Sequence, residues 1–159
     1  MIIDISNSQN SLPIDAESIR NLARRVLEGE GVYEATVSIA FVDDSAIHAI
    51  NRRHLDHDWP TDVITFRLSD PGDEVLDAEL VVSAEMAAIT AREAGTDPLA
   101  ELALYVVHGL LHLCGHDDRT EPDSAAMRRR EDEVLKREGW ANTFAIIAPT
   151  GRGGEPCPT

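Results

Sequence analysis

Tyr105-Val106-Val107-His108-Gly109-Leu110-Leu111-His112-Leu113-Cys114-Gly115-His116-Asp117-Asp118 begins as one of the most apolar segments of the chain and ends in metal-type side chains. His108 and His112 are four residues apart, so on an α-helix both imidazoles lie on one face, one turn apart. Leu99, Leu102, Leu104, Val106, Val107, Leu110, Leu111 and Leu113 make the remaining surface of this helix apolar nearly all round, which predicts a buried element. Two imidazoles without partners would be costly to desolvate there, and a shared metal ion removes that cost.

Gly115 predicts a sharp, left-handed helix end, after which the chain turns back toward the same ion. Asp118, five spacers after His112, completes the ligand spacing of the metzincin type of zinc site, written with a final Asp in place of His. The third ligand stays open at this point. Asp118 fits the spacing. His116 is chemically the better zinc donor but follows the helix end closely, and Asp117 or a water are the remaining choices. Three protein ligands leave a fourth position for water, the mark of a catalytic more than a structural site. Imidazole content favours Zn2+, one ion, over other divalent cations. Gly109 stands where zinc peptidases of the HExxH type carry their glutamate base, which speaks against a peptidase.

Outward from this helix, the chain reads as alternating elements. Ile2, Ile3 and Ile5 predict a strand. Asp15 caps a helix with Ile19, Leu22, Ala23, Val26 and Leu27 at helical spacing, stopped by Gly29-Glu30-Gly31. Ala35 to Val42 alternates as a strand, and Asp43, Asp44 and Ser45 cap a short helix to about Leu55. A polar loop runs from His54 to Asp62. Val63 to Leu68 and Ala78 to Ser83 are strands around the turn Asp70-Pro71-Gly72-Asp73, the second apolar enough to be central. An alanine-rich helix reaches about Glu93. Asp97 and Pro98 open the metal helix, and Thr120 with Asp123 opens a last helix, with Met127, Val134 and Leu135 inward and Gly139 ending it. These elements predict an α+β fold: one domain, residues 1–148, with a small, partly parallel sheet of about four strands, about five helices and a metzincin-like metal helix. Residues 149–159, rich in Gly and Pro, read as a disordered tail.

Bulk properties fit an ordinary soluble globular protein. The chain has 159 residues, 43% hydrophobic and 27% charged, enough for one core. No run is apolar enough to span a membrane, and Met1-Ile2-Ile3-Asp4 does not open an export signal, so a cytoplasmic location is expected. With only Cys114 and Cys157, a disulfide framework is not expected, and Cys114 reads as a small buried hydrophobe. The net charge of −15 opposes non-specific nucleic-acid binding while allowing a local basic patch.

Two further features have competing readings. Glu101, Tyr105, His108 and His112 share one helical stripe, so Glu101 or Tyr105 is a candidate partner for a ligand histidine; a helix-start carboxylate favoured by the dipole accounts for Glu101 equally well. His48, Arg52, Arg53, His54 and His57 form a second polar cluster, either a solvated helix end or, through Arg52 and Arg53, a phosphate contact.

The segment His108-Gly109-Leu110-Leu111-His112-Leu113-Cys114-Gly115-His116-Asp117-Asp118 resembles the signature of the YbeY family, His-Gly-x-Leu-His-Leu-x-Gly-Tyr-Asp-His. Asn51 and Asp58-Trp59-Pro60-Thr61-Asp62-Val63-Ile64-Thr65-Phe66 are similar to its Pro-Thr-Asp-Val-Leu-Ser-Phe segment, Ala78 to Ser83 to its Gly-Asp-Ile strand, and Met127, Glu131 and Leu135 to its last helix. The resemblance, running from about Ile2 to Trp140, implies an α+β metal-dependent hydrolase of single-stranded RNA, a bacterial endoribonuclease of 16S rRNA 3′-end maturation and ribosome quality control. It implies metal ligands at His108, His112 and position 118, and ribosomal RNA and the small ribosomal subunit as partners. A basic ribosomal protein is a further expected partner on charge grounds. Three positions depart from the family: Asp118 where it usually has His, His116 in place of Tyr, and Leu55 where it has an arginine, a role that Arg52 or Arg53 would take from the preceding turn. Two rival expectations stand beside the nuclease: a non-catalytic ribosome-assembly factor with a structural metal, and a zinc peptidase.

Overall fold

The computed structural model describes residues 1–55 and 62–140, with the helical backbone alone for 51–55. The elements run β1 (Ile2–Asn7), α1 (Ala16–Gly29), β2 (Ala35–Val42), α2 (Asp44–Leu55), β3 (Val63–Arg67), β4 (Leu76–Ser83), α3 (Ala84–Ala94), α4 (Pro98–Leu113) and α5 (Glu121–Arg137). The sheet order is β1-β2-β4-β3; β1, β2 and β4 are parallel, and β3 is an antiparallel edge strand. The α+β class, the four-strand mixed sheet and the five helices agree with the sequence reading. β4 begins two residues before the predicted Ala78 because the register carries Leu76 and Asp77 alongside Ala35 and Thr36. The tail expected at 149–159 lies outside the described residues.

Strand alternation decides which helices cover which face. Val37, Ile39 and Phe41 of β2, with Ala78, Leu80 and Val82 of β4, enter the main core beneath α1, α3, α4 and α5. The opposite face is smaller: Val42, Ile64 and Val81 pack with Ile47 of α2. Every residue of α4 from Ala100 to Leu111 is buried, so this helix is the centre of the domain. Gly109 is where it meets the sheet. A Cβ there would stand 3.0 Å from Leu80 Cδ2 and 3.1 Å from Val63 Cγ2, so glycine lets α4 settle onto β4 and β3.

The predicted caps hold. Asp15, Asp97 and Thr120 accept hydrogen bonds from the amides of Glu17, Leu99 and Asp123, which would otherwise end their helices unsatisfied. Pro98 takes the first turn of α4. Among the described residues no helix is long and apolar enough to cross a membrane.

Candidate metal centre

α4 ends where the predicted ligands begin. Its last two turns carry His108 and His112, whose ring centroids are 4.7 Å apart with planes 82° to each other. Gly115 adopts φ 101°, a left-handed value that a side chain would strain, and reverses the chain. The Gly115 amide bonds to the His112 carbonyl at 3.1 Å and the His116 amide to the Leu111 carbonyl at 3.0 Å, closing the helix end. Arg67 Nη1, from the end of β3, donates to the Leu113 carbonyl at 2.9 Å, placing a cation at the negative end of α4. The carboxylate of Asp117 then accepts from the amides of Asp118 at 2.7 Å and Arg119 at 3.2 Å, a turn that fixes the direction of Asp118.

The result is a three-sided cage. Asp118 Oδ2 lies 3.6 Å from His108 Nε2, and Asp118 Oδ1 lies 3.6 Å from His112 Nε2. One ligand atom from each residue lies within 4.8 Å of the other two. Two ligands bonded at about 2.0–2.1 Å to a tetrahedral zinc stand about 3.4 Å apart, so the carboxylate–imidazole separations suit one small cation. The chemistry fits as well. His112 Nε2 is buried with no hydrogen-bond partner, an arrangement that a cation relieves. His108, 1% exposed, donates from Nδ1 to Glu131 Oε2. An imidazole that gives its Nδ1 proton to a carboxylate can turn an Nε2 lone pair to a metal, and Nε2 is the atom that faces Asp118.

Glu131 is the residue that motif spacing missed. It comes from α5, 23 positions away, and is fully buried. The signal available was a glutamate in the inward register of α5, between Met127 and Val134–Leu135. The carboxylate seen against His108 Nδ1 therefore comes from α5. The Tyr105 hydroxyl lies 3.4 Å from Thr90 Oγ1, and the Glu101 carboxylate acts on it by its charge. Burial, and then the charge of Glu101, push the Tyr105 phenol well above its ordinary range, so it stays protonated.

His116, the alternative third ligand, is turned elsewhere. Its Nε2 lies 2.5 Å from Glu30 Oε1, just past the end of α1. The better donor by chemistry is thus occupied, and the cage closes on Asp118. Burial works to raise the pKa of Glu30, but the hydrogen bonds from His116 and Arg130 and the charge of Arg130 outweigh it and hold the carboxyl below its usual value. Cys114 packs partly buried beside the core, and desolvation, then the charge of Glu30, push its thiol up to about 11. The side chains of Arg52, Arg53, His54 and Leu55, and all of His57, lie outside the described residues, so the second polar cluster is not placed relative to the cage. The helix that carries Arg52 and Arg53 is present as α2.

The comparisons with known proteins bear on this geometry. A model of the family described as endoribonuclease YbeY matches residues 4–139. The chain belongs to the YbeY family. It is 37% identical over 139 residues to the endoribonuclease YbeY of Carboxydothermus hydrogenoformans, an alignment covering 86% of this chain and 96% of that one. To the YbeY of Rhodopirellula baltica it is 46% identical over 114 residues, covering 69% of this chain and 57% of the other. A solution structure from Thermotoga maritima superimposes with a TM-score of 0.62 at 22% identity, covering 90% of this chain and 95% of that chain, and shows the same fold. The matched span contains β2, α4 and α5, and with them all three cage residues and Glu131.

Proposed function

We propose that this chain is a zinc-dependent endoribonuclease that cuts single-stranded RNA in the cytoplasm, in 16S rRNA 3′-end maturation and ribosome quality control. Membership of a family of endoribonucleases supports the reaction class. The convergence of His108, His112 and Asp118, with Glu131 behind His108, is the observation that carries the metal dependence. A zinc ion held there supplies Lewis acidity toward a phosphoryl oxygen and toward water. The protein's own part is positioning. α4 presents two imidazoles on a rigid, buried frame, Glu131 fixes the tautomer and ring direction of His108, and Asp118 adds a negative charge that offsets part of the cation's. Arg52 or Arg53 is assigned to contact the RNA phosphates, as guanidinium forks suit them.

A peptidase is disfavoured by position 109. A glutamate base there would be driven into Leu80 and Val63 instead of toward substrate. The acidic surface, with a net charge of −15, favours docking on the small ribosomal subunit through a basic ribosomal protein.

The test combines metal analysis with cleavage of single-stranded and duplex RNA by the wild-type chain and His112→Ala. The wild type should hold one zinc and cut the single strand, and His112→Ala should lose both. Stoichiometric zinc in His112→Ala would sink the ligand assignment. If chelation lowers the melting temperature and neither form cuts RNA, the metal is structural and the assembly-factor reading takes its place.

A further inference from the structure

The cage has two ligands on a helix and one on a loop, and the loop is where its geometry can fail. The ties made by Gly115, the His116 amide and Asp117 are local to that segment. The His116 side chain makes a different tie, reaching Glu30 across 86 positions of sequence. Glu30 is itself anchored. Its Oε2 accepts from Arg130 Nε at 2.8 Å and lies 2.6 Å from Arg130 Nη2, and Arg130 Nη2 also reaches the Gly29 carbonyl at 3.4 Å. The Glu30 side chain is 11% exposed, Arg130 21% and His116 32%, so these ion pairs are partly shielded from water. Arg130 precedes Glu131, the partner of His108, on α5. One helix therefore pins both sides of the cage: Glu131 holds the ligand on α4, and Arg130, through Glu30 and His116, holds the loop that ends in Asp118.

We propose that Glu30 is a positioning residue of the metal centre, binding His116 and Arg130 together so that the loop delivers Asp118 to the cation and the competing imidazole of His116 is kept away. The inference rests on the metal reading above. Its readout is zinc affinity, since outer partners of metal ligands change affinity about 10- to 100-fold when removed.

The experiment measures the zinc dissociation constant by competition with a chromophoric chelator for the wild type, Glu30→Ala, Glu30→Gln, His116→Ala and the double variant Glu30→Ala/His116→Ala. Glu133→Gln is the control, removing another carboxylate that pairs with Arg130, at 3.2 Å, without touching His116. Glu30→Ala and His116→Ala should each weaken zinc binding about 10-fold or more. Glu30→Gln should lose less, the double variant should be no weaker than the weaker single variant, and Glu133→Gln should match the wild type. Hydrogen exchange of residues 114–119 should rise in Glu30→Ala while that of 100–111 does not. Wild-type affinity in Glu30→Ala, or losses that multiply in the double variant, would overturn the proposal. Should Glu30→Ala fail to fold, His116→Phe keeps the ring's bulk without its hydrogen bond, and unchanged affinity in that variant is equally decisive. A wild type that binds no zinc defeats the metal reading itself, whereas one zinc in the wild type with equal affinity in the Glu30 variant defeats this inference alone.

Discussion

Gly109 and Glu131 show how single residues set this centre. Adding a methyl at 109 gains about 0.5–1 kcal/mol of helix propensity. It also forces Leu80 and Val63 to give way in a packed core, at about 1–3 kcal/mol. Gly109→Ala should therefore be net destabilising, by about 1 kcal/mol in chemical denaturation, and an increase in stability would refute the close-packing account. Glu131→Ala removes the carboxylate that orients His108. Zinc affinity should fall by about 10- to 100-fold, with Glu131→Gln intermediate because it keeps an acceptor oxygen. Equal affinities in a chelator competition would remove Glu131 from the site. Cys114, its thiol pushed up to about 11 by burial, should alkylate very slowly at neutral pH and quicken as pH approaches that value. Peptide mass spectrometry follows this position separately from Cys157.

At the scale of elements, α4 and α5 divide the work. α4 is buried nearly throughout, so its position follows from hydrophobic packing, and His108 and His112 are carried on a close-packed frame. α5 is polar over most of its surface and enters the core through Met127, Glu131, Val134 and Leu135. Its start depends on the Thr120 side chain, which accepts from the Asp123 amide at 3.2 Å. Thr120→Ala should cost about 1 kcal/mol of stability by denaturant titration. Zinc affinity should fall far less than in Glu131→Ala, because the cap lies two to three turns from Glu131. Equal losses of affinity would mean that the whole helix, and not the one carboxylate, sets the site.

At the scale of the molecule, the Glu30–His116–Arg130 network ties the end of α1, the metal loop and α5 together, and this makes stability depend on pH in a set direction. The folded carboxyl of Glu30 lies below its reference value of 4.5. Its contribution is complete above that value and is lost as pH falls through the folded pKa. Thermal midpoints of wild type and Glu30→Gln should thus differ most near neutral pH and converge as pH drops below about 4.5. A difference that grows toward acid would reverse the sign assigned to Glu30.

The sequence by itself determined the elements, their caps, the mixed sheet, and the placing of His108 and His112 on one buried face, because periodicity and helix spacing are local properties of a chain. It also restricted the third ligand to the few residues after Gly115. Only the tertiary structure separates them in space: Asp118 lies with the two imidazoles, while His116 faces Glu30 from the end of another helix. It likewise decided that His108 leans on Glu131 of α5 and that Gly109 is a packing glycine beneath β3 and β4. Those choices depend on which elements meet in space, and contacts across 23 or 86 positions leave no spacing in the sequence to read.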